Sequence, residues 1–117
     1  MITTLLLIWA HFIGDFVFQT DEVARGKGRS NWALLSHTLT YIATFSLLGW
    51  FIPITTDWLI ANMVLHGVVD YVTSRVKTRL WRNNESHLFF VVVGIDQAIH
   101  LSCLLLTYQL MCVRIVF

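Results

Sequence analysis

At 117 residues, 56% hydrophobic and 13% charged, with a mean hydropathy of +0.68, the chain has too few charged side chains to clothe a soluble domain of its size. A formal net charge of +1 gives no footprint for nucleic acid or for a strongly acidic partner. The length allows one domain, residues 1–117, and its apolar residues run on without the polar shell that a small water-soluble core requires.

Four segments meet the requirement of roughly 20 mainly apolar residues for a spanning helix. They are about 2–20, 32–52, 58–76 and 87–113. The expected fold is therefore an all-α membrane protein, a four-transmembrane-helix bundle. The first segment begins almost at Met1, has no Lys or Arg before it, and carries His11 and Asp15, which predicts a retained helix rather than a cleaved signal peptide. The connection after it, Asp21 to Asn31, holds Arg25, Lys27 and Arg29 with Gly26 and Gly28. It reads as partly irregular backbone at headgroup level, a topology signal touching anionic lipid and without chemistry of its own. Pro53 stops the second helix, Thr55, Thr56 and Asp57 offer N-caps for the third, and Asn84 or Ser86 for the fourth. Arg75, Lys77, Arg79 and Arg82 mark the third connection, whereas Pro53 to Asp57 has no cation. The positive-inside rule then places both basic connections in the cytoplasm and both termini outside it. Trp32 and Trp81 are expected at one interface, Trp50 and Trp58 at the other. Cys103 and Cys112, about half a turn out of phase on the last helix, cannot pair.

Polar residues recur at one depth inside these spans. Counted from the cytoplasmic ends, His11 is nine residues in and Asp15 five, His66 ten and Asp70 six, Asp96 nine and His100 thirteen. Each pair has i, i+4 spacing, which puts both side chains on one helix face. The first and third helices read His-x-x-x-Asp and the fourth, running the other way, Asp-x-x-x-His, so the histidine is always the deeper. His37 lies near the aspartate level on the second helix. A carboxylate in hydrocarbon costs roughly 3 kcal/mol or more, so these groups are expected to face one another, water or a cation. Gln19, Asn62 and Gln97 add polar atoms nearby, and Gly14, Gly67 and Gly94 are expected to allow close helix approach. The shared pattern His-x-x-x-Asp-aromatic-Val at His11 and His66 suggests two hairpins related by a pseudo-two-fold axis. His87 is expected to be a solvated end residue and Tyr41 part of the core.

Imidazole and carboxylate on facing helices are the ingredients of a metal site. The candidate ligands are His11, His37, His66, His100, Asp15, Asp70 and Asp96. In the leading arrangement His11, His66 and His100 hold a divalent metal, zinc foremost, and leave a position for water. Asp15, Asp70 and Asp96 are the candidate catalytic residues, as general base, as further ligands or as groups that orient the imidazoles.

His11-x-x-x-Asp15-Phe-x-x-Gln19, the lone His37, His66-x-x-x-Asp70-Tyr and Asp96-Gln97-x-x-His100 together resemble the bacterial and phage membrane proteins grouped as domain of unknown function 3307. The resemblance covers nearly the whole chain. It implies a multi-pass protein of the bacterial inner membrane and brings no activity with it. Members commonly carry a lysine after the Asp-Tyr pair. Here Val72, Thr73, Ser74 and Arg75 follow Tyr71, so no role for that lysine is carried over. The pattern is also similar, more distantly, to small membrane-bound metal-dependent hydrolases.

The expected activity is metal-dependent hydrolysis of a lipid or other amphiphile entering from the cytoplasmic leaflet, with membrane lipids as partners and none among nucleic acids. One alternative is a proton or divalent-cation transporter or channel, whose thin four-helix wall would need a homo-oligomer. The other is a non-enzymatic membrane partner protein that needs the cluster only for stability.

Overall fold

The computed structural model describes residues 1–113, and among these the regular elements are all helical. Helix α1 (Ile2–Phe12) runs directly into a π-helical turn (Ile13–Val17), followed by a short α2 (Asp21–Gly26) and three long helices, α3 (Asn31–Leu48), α4 (Thr56–Arg82) and α5 (Ser86–Met111). The bundle measures 51 × 25 × 20 Å. Short connections force neighbouring long helices to run antiparallel. α3 packs on α1, the π turn and α4, and α5 packs on α4 and α1, so α1 and α4 face each other across a diagonal.

Local chemistry sets the boundaries, and several differ from expectation. The first helix changes pitch where Gly14 lets it approach α3: an added Cβ would lie 3.2 Å from Thr44 Oγ1 and 3.3 Å from the Tyr41 ring. The Phe18 amide then reaches back to the Ile13 carbonyl at 3.0 Å, a five-residue step. The first connection, expected to be partly irregular, is the short α2, capped by Thr20 Oγ1 accepting from the Val23 amide at 3.3 Å, and then a turn over 27–29. α3 stops at Leu48, short of 52, because the chain turns through Gly49 to Phe51 ahead of Pro53. Of the caps proposed for the third long helix, Thr55 is the one used, accepting from the Trp58 amide at 3.2 Å. α4 continues to Arg82, past the expected 76, since no Gly or Pro interrupts the charged residues that follow its apolar stretch. Neither Asn84 nor Ser86 caps α5; Asn84 makes the turn instead, with φ 58°.

By length and composition α5 alone among the described helices qualifies as a membrane span, with a mean hydropathy of 2.0, and Ile2–Val17 is a shorter apolar helix. The four-span expectation is not met by the other two long helices. α3 carries Ser36, His37, Thr38, Thr40, Thr44 and Ser46, and α4 carries two aspartates and its four terminal cations.

Polarity in the bundle is inverted. Its interior holds His11, Asp15, Lys27, His37, Asn62, His66, Asp70, Asp96 and His100, while Leu5, Trp9, Leu39, Val64, Val68, Val91, Ile95 and Leu106 project outward. An apolar plug of Leu7, Tyr41, Phe45, Trp58 and Leu104 fills one end of the core. Trp58 was expected at an interface but is fully buried in that plug, edge-on to Phe45 and Tyr108 with ring centroids 5.4 and 5.8 Å away. Trp32, Trp50 and Trp81 are exposed. Of the three glycines expected to bring helices together, Gly14 does so. Gly67 meets only ordinary contact with Thr38, and Gly94 faces outward with nothing near.

Candidate metal centre

Beside the plug, side chains from every long helix converge. α1 delivers His11, the π turn Asp15, α3 His37, α4 His66 and Asp70, and α5 Asp96, Gln97 and His100, with these four histidines and three aspartates buried. The i, i+4 spacings place each His and Asp pair on one inward face, yet the shorter contacts run between helices. Asp15 Oδ1 lies 2.9 Å from His37 Nε2, whereas its in-helix neighbour His11 is 3.7 Å away. Asp70 Oδ1 lies 3.1 Å from His100 Nε2, and His66 is 3.5 Å from Asp70 Oδ2. Each of the two hairpins thus pairs an aspartate of its first helix with a histidine of its second.

Counting protons exposes the unusual feature of this centre. His37 Nε2 has Asp15 Oδ1 at 2.9 Å, Asp70 Oδ2 at 3.0 Å and His66 Nε2 at 2.9 Å. It can carry one proton, and two of its neighbours are pure acceptors when ionised. His66 Nε2 lies 3.6 Å from Asp15 Oδ1, and its ring stacks on Tyr41 with centroids 3.7 Å apart. These four ligand atoms, from Asp15, His37, His66 and Asp70, lie within 4.8 Å of one another, and so do those of a second group, Asp70, Asp96 and His100. The buried His and Asp groups could hold a metal ion. Tetrahedral zinc, with arms of about 2.0–2.2 Å, sets its ligand atoms roughly 3.3 Å apart. The contacts of 2.9–3.6 Å in the first group straddle that value.

His11 differs from the other three. Its Nε2 donates to Gln97 Oε1 at 2.8 Å and its Nδ1 accepts from the Tyr41 hydroxyl at 2.9 Å, so both ring nitrogens are satisfied without a cation. The expected grouping of His11, His66 and His100 around one ion is therefore not the grouping found. His37 stands with His66, and His100 with Asp96. Gln97 Nε2 in turn donates to Asp15 Oδ2 at 2.9 Å, linking Tyr41, His11 and Gln97 in a chain that orients the carboxylate. Tyr41 is thus more than core. Asn62 lies deeper and bonds to Thr107 at 2.9 Å, Gln19 lines the outer approach, and His87 is exposed at the start of α5.

The basic connection contributes what its composition did not disclose. Lys27 is buried and donates to Asp70 Oδ2 at 3.1 Å, and Lys77 donates to Asp96 Oδ2 at 3.2 Å. Lys27 is held there because its carbonyl accepts from Ser74 Oγ at 3.2 Å and because Gly28 lies against α4. A Cβ on Gly28 would sit 2.7 Å from the Ser74 carbonyl oxygen and strike Thr78 Oγ1. Gly28→Ala should therefore cost roughly 1–3 kcal/mol by overpacking. It should also free the segment 20–30, seen as a lower unfolding temperature in detergent and faster proteolysis between Thr20 and Ser30. Unchanged stability would mean that the segment does not dock as described. No sequence signal separated Lys27 from Arg25, since a glycine directly follows each. Thr73, whose Oγ1 donates to Asp96 Oδ1 at 2.5 Å, had no signal beyond its place one turn from Asp70.

A cavity of about 780 Å³ leads from the basic end to this centre. Its lining includes Asp15, Asp96, Gln97 and Lys77 of the centre, the cations Arg25, Arg29 and Arg82, and the aromatic Phe16, Trp81, Phe89 and Phe90.

Fold and site together define an all-helical protein with a buried His/Asp centre able to hold a metal ion. The chain belongs to the family described as Protein of unknown function (DUF3307), whose model matches residues 2–116. No curated protein and no solved structure gives a significant match.

Proposed function

We propose that the chain is a multi-pass membrane protein whose buried centre holds a divalent metal, zinc foremost, and hydrolyses an anionic amphiphile entering from the basic end. The inverted polarity supports the membrane reading. Aliphatic and aromatic side chains cover the outer faces of all the long helices, and the ionisable groups turn inward. The 51 Å length suits a bilayer of about 40–45 Å including headgroups. Under the positive-inside rule the two basic connections lie at the cytoplasmic face.

The observation that carries the metal reading is His37 Nε2, which meets two carboxylate oxygens and a second imidazole nitrogen within 3.0 Å with one proton to offer. A cation satisfies all of them at once. When bound, such an ion lowers the pKa of a coordinated water and polarises the bond to be cleaved. Asp96, at the cavity wall and held by Thr73 and Lys77, presents its carboxylate to the water of the cavity. Asp15 and Asp70 hold the cation, and His11 acts through Gln97 to orient Asp15. Arg25, Arg29 and Arg82 make no ion pair among the described residues, which leaves them free for an anionic headgroup. Trp81, Phe89 and Phe90 offer apolar walls to its chain. The plug of Phe45, Trp58 and Leu104, all fully buried, argues against a path through the bundle, as a transporter would need.

The test begins with the full chain purified in detergent and analysed for bound metals beside a His37→Ala variant. Metal is expected in the wild type, with occupancy at least about 10-fold lower in the variant. A folded, metal-free wild type would sink the reading and favour a non-enzymatic partner protein. Phospholipid turnover is then expected without ion flux in proteoliposomes, whereas flux without turnover would favour the transporter.

A further inference from the structure

The two candidate groups share one residue, and they use different atoms of it. Asp70 Oδ2 faces His37 at 3.0 Å and His66 at 3.5 Å, while Asp70 Oδ1 faces His100 at 3.1 Å. A carboxylate that presents one oxygen to each of two ligand sets has the form of a bridge between neighbouring ions. His100 repeats the proton shortage of His37. Its Nε2 lies 3.1 Å from Asp70 and 3.3 Å from Asp96 Oδ1, with one proton for two acceptors.

We propose that the centre is dinuclear, with one divalent ion held by Asp15, His37, His66 and Asp70, a second held by Asp70, Asp96 and His100, and Asp70 bridging them. The proposal rests on the metal reading above and adds the second ion. The first set supplies four protein ligands and is closed. The second supplies three, and Asp96 lies on the cavity wall, so its remaining position faces the entering substrate. The lysines do not compete for these places. Lys77 binds Asp96 through Oδ2, Asp96 Oδ1 has a lone pair for the ion besides the one that accepts from Thr73, and Asp70 Oδ2 has one for the Lys27 ammonium besides the one it gives the first ion. Two divalent ions and two ammoniums outweigh three carboxylates. The loaded centre is therefore cationic and takes an anionic group, such as a phosphate ester, as its substrate. A pair of ions about 3.5–4 Å apart can clamp the attacking and leaving oxygens of such an ester.

The test is the metal count of the full-length protein in detergent after loading with Zn²⁺, and the electron paramagnetic resonance spectrum after loading with Mn²⁺. Two ions per chain and a spin-coupled Mn²⁺ signal are expected. Asp96→Asn should retain one ion and lose the coupling, and Asp70→Asn should lose both ions. One ion per chain with an uncoupled Mn²⁺ spectrum would overturn the dinuclear proposal and leave the single-metal reading standing. No ion in the wild type would overturn both. The wild-type spectrum alone decides the matter if a variant fails to fold.

Discussion

Replacing Asp70 by alanine should be the most damaging single substitution in the chain. Asp70 is completely buried and accepts contacts from His37, His100 and Lys27 at 3.0–3.1 Å, so it ties three other segments to α4. Removing the carboxylate leaves a buried ammonium without its partner, a loss worth roughly 3–5 kcal/mol. It also deletes the ligand common to both candidate ion positions. Metal affinity should fall by more than the ~10–100-fold expected when a mere supporting partner is lost. Thermal unfolding in detergent and metal analysis of the surviving folded protein measure the two effects separately. A variant as stable as the wild type and still loaded with metal would remove Asp70 from the heart of the centre.

Lys27→Met should be the next most costly change, and it probes a residue that composition assigned to a lipid-facing loop. Methionine keeps the apolar stem and removes the charge, so the loss reports the ammonium rather than packing. Asp70 would then be short of a counter-charge in a buried site, and roughly 3–5 kcal/mol of stability should go with it. Lys77→Met should cost less, because Asp96 keeps Thr73, Gln97 and His100 as partners and the Lys77 side chain is more exposed, 15% against 9% for Lys27. The double variant Lys27→Met/Asp70→Asn supplies the control. If the two groups form one pair, the combined loss falls short of the summed single losses by more than about 1 kcal/mol. Additive losses would mean that Lys27 acts somewhere other than Asp70.

The sequence announced the centre more clearly than it announced its wiring. Helical periodicity and a count of depth from the basic ends brought His11, His37, His66, His100, Asp15, Asp70 and Asp96 to one level, because i, i+4 spacing fixes the face a side chain occupies whatever its neighbours. Which nitrogen meets which oxygen depends on the rotation of each helix about its axis, and no spacing encodes that. The π turn at Ile13–Val17 illustrates the gap. It changes where Asp15 points, but its cause is the approach of Gly14 to Thr44 and Tyr41, residues some thirty positions away. Lys27 was hidden for a related reason. Three cations in one connection look alike to hydropathy, and only the fit of Gly28 against Ser74 and Thr78 selects the one that folds inward. Trp58 was misplaced because aromatic residues near a helix end suit an interface and a plug equally well.

The wiring of Asp70 also bears on how the chain can be assembled. Its partners come from the segment after the first helix, from α3 and from α5, so neither hairpin is electrically complete by itself. The N-terminal hairpin alone would carry the Lys27 ammonium without its Asp70 partner, and the C-terminal one would leave Asp70 short of it. Newly made chains should therefore gain the order of the centre only after α5 has been synthesised. The two halves, produced as separate polypeptides, should associate as an obligate pair or be degraded.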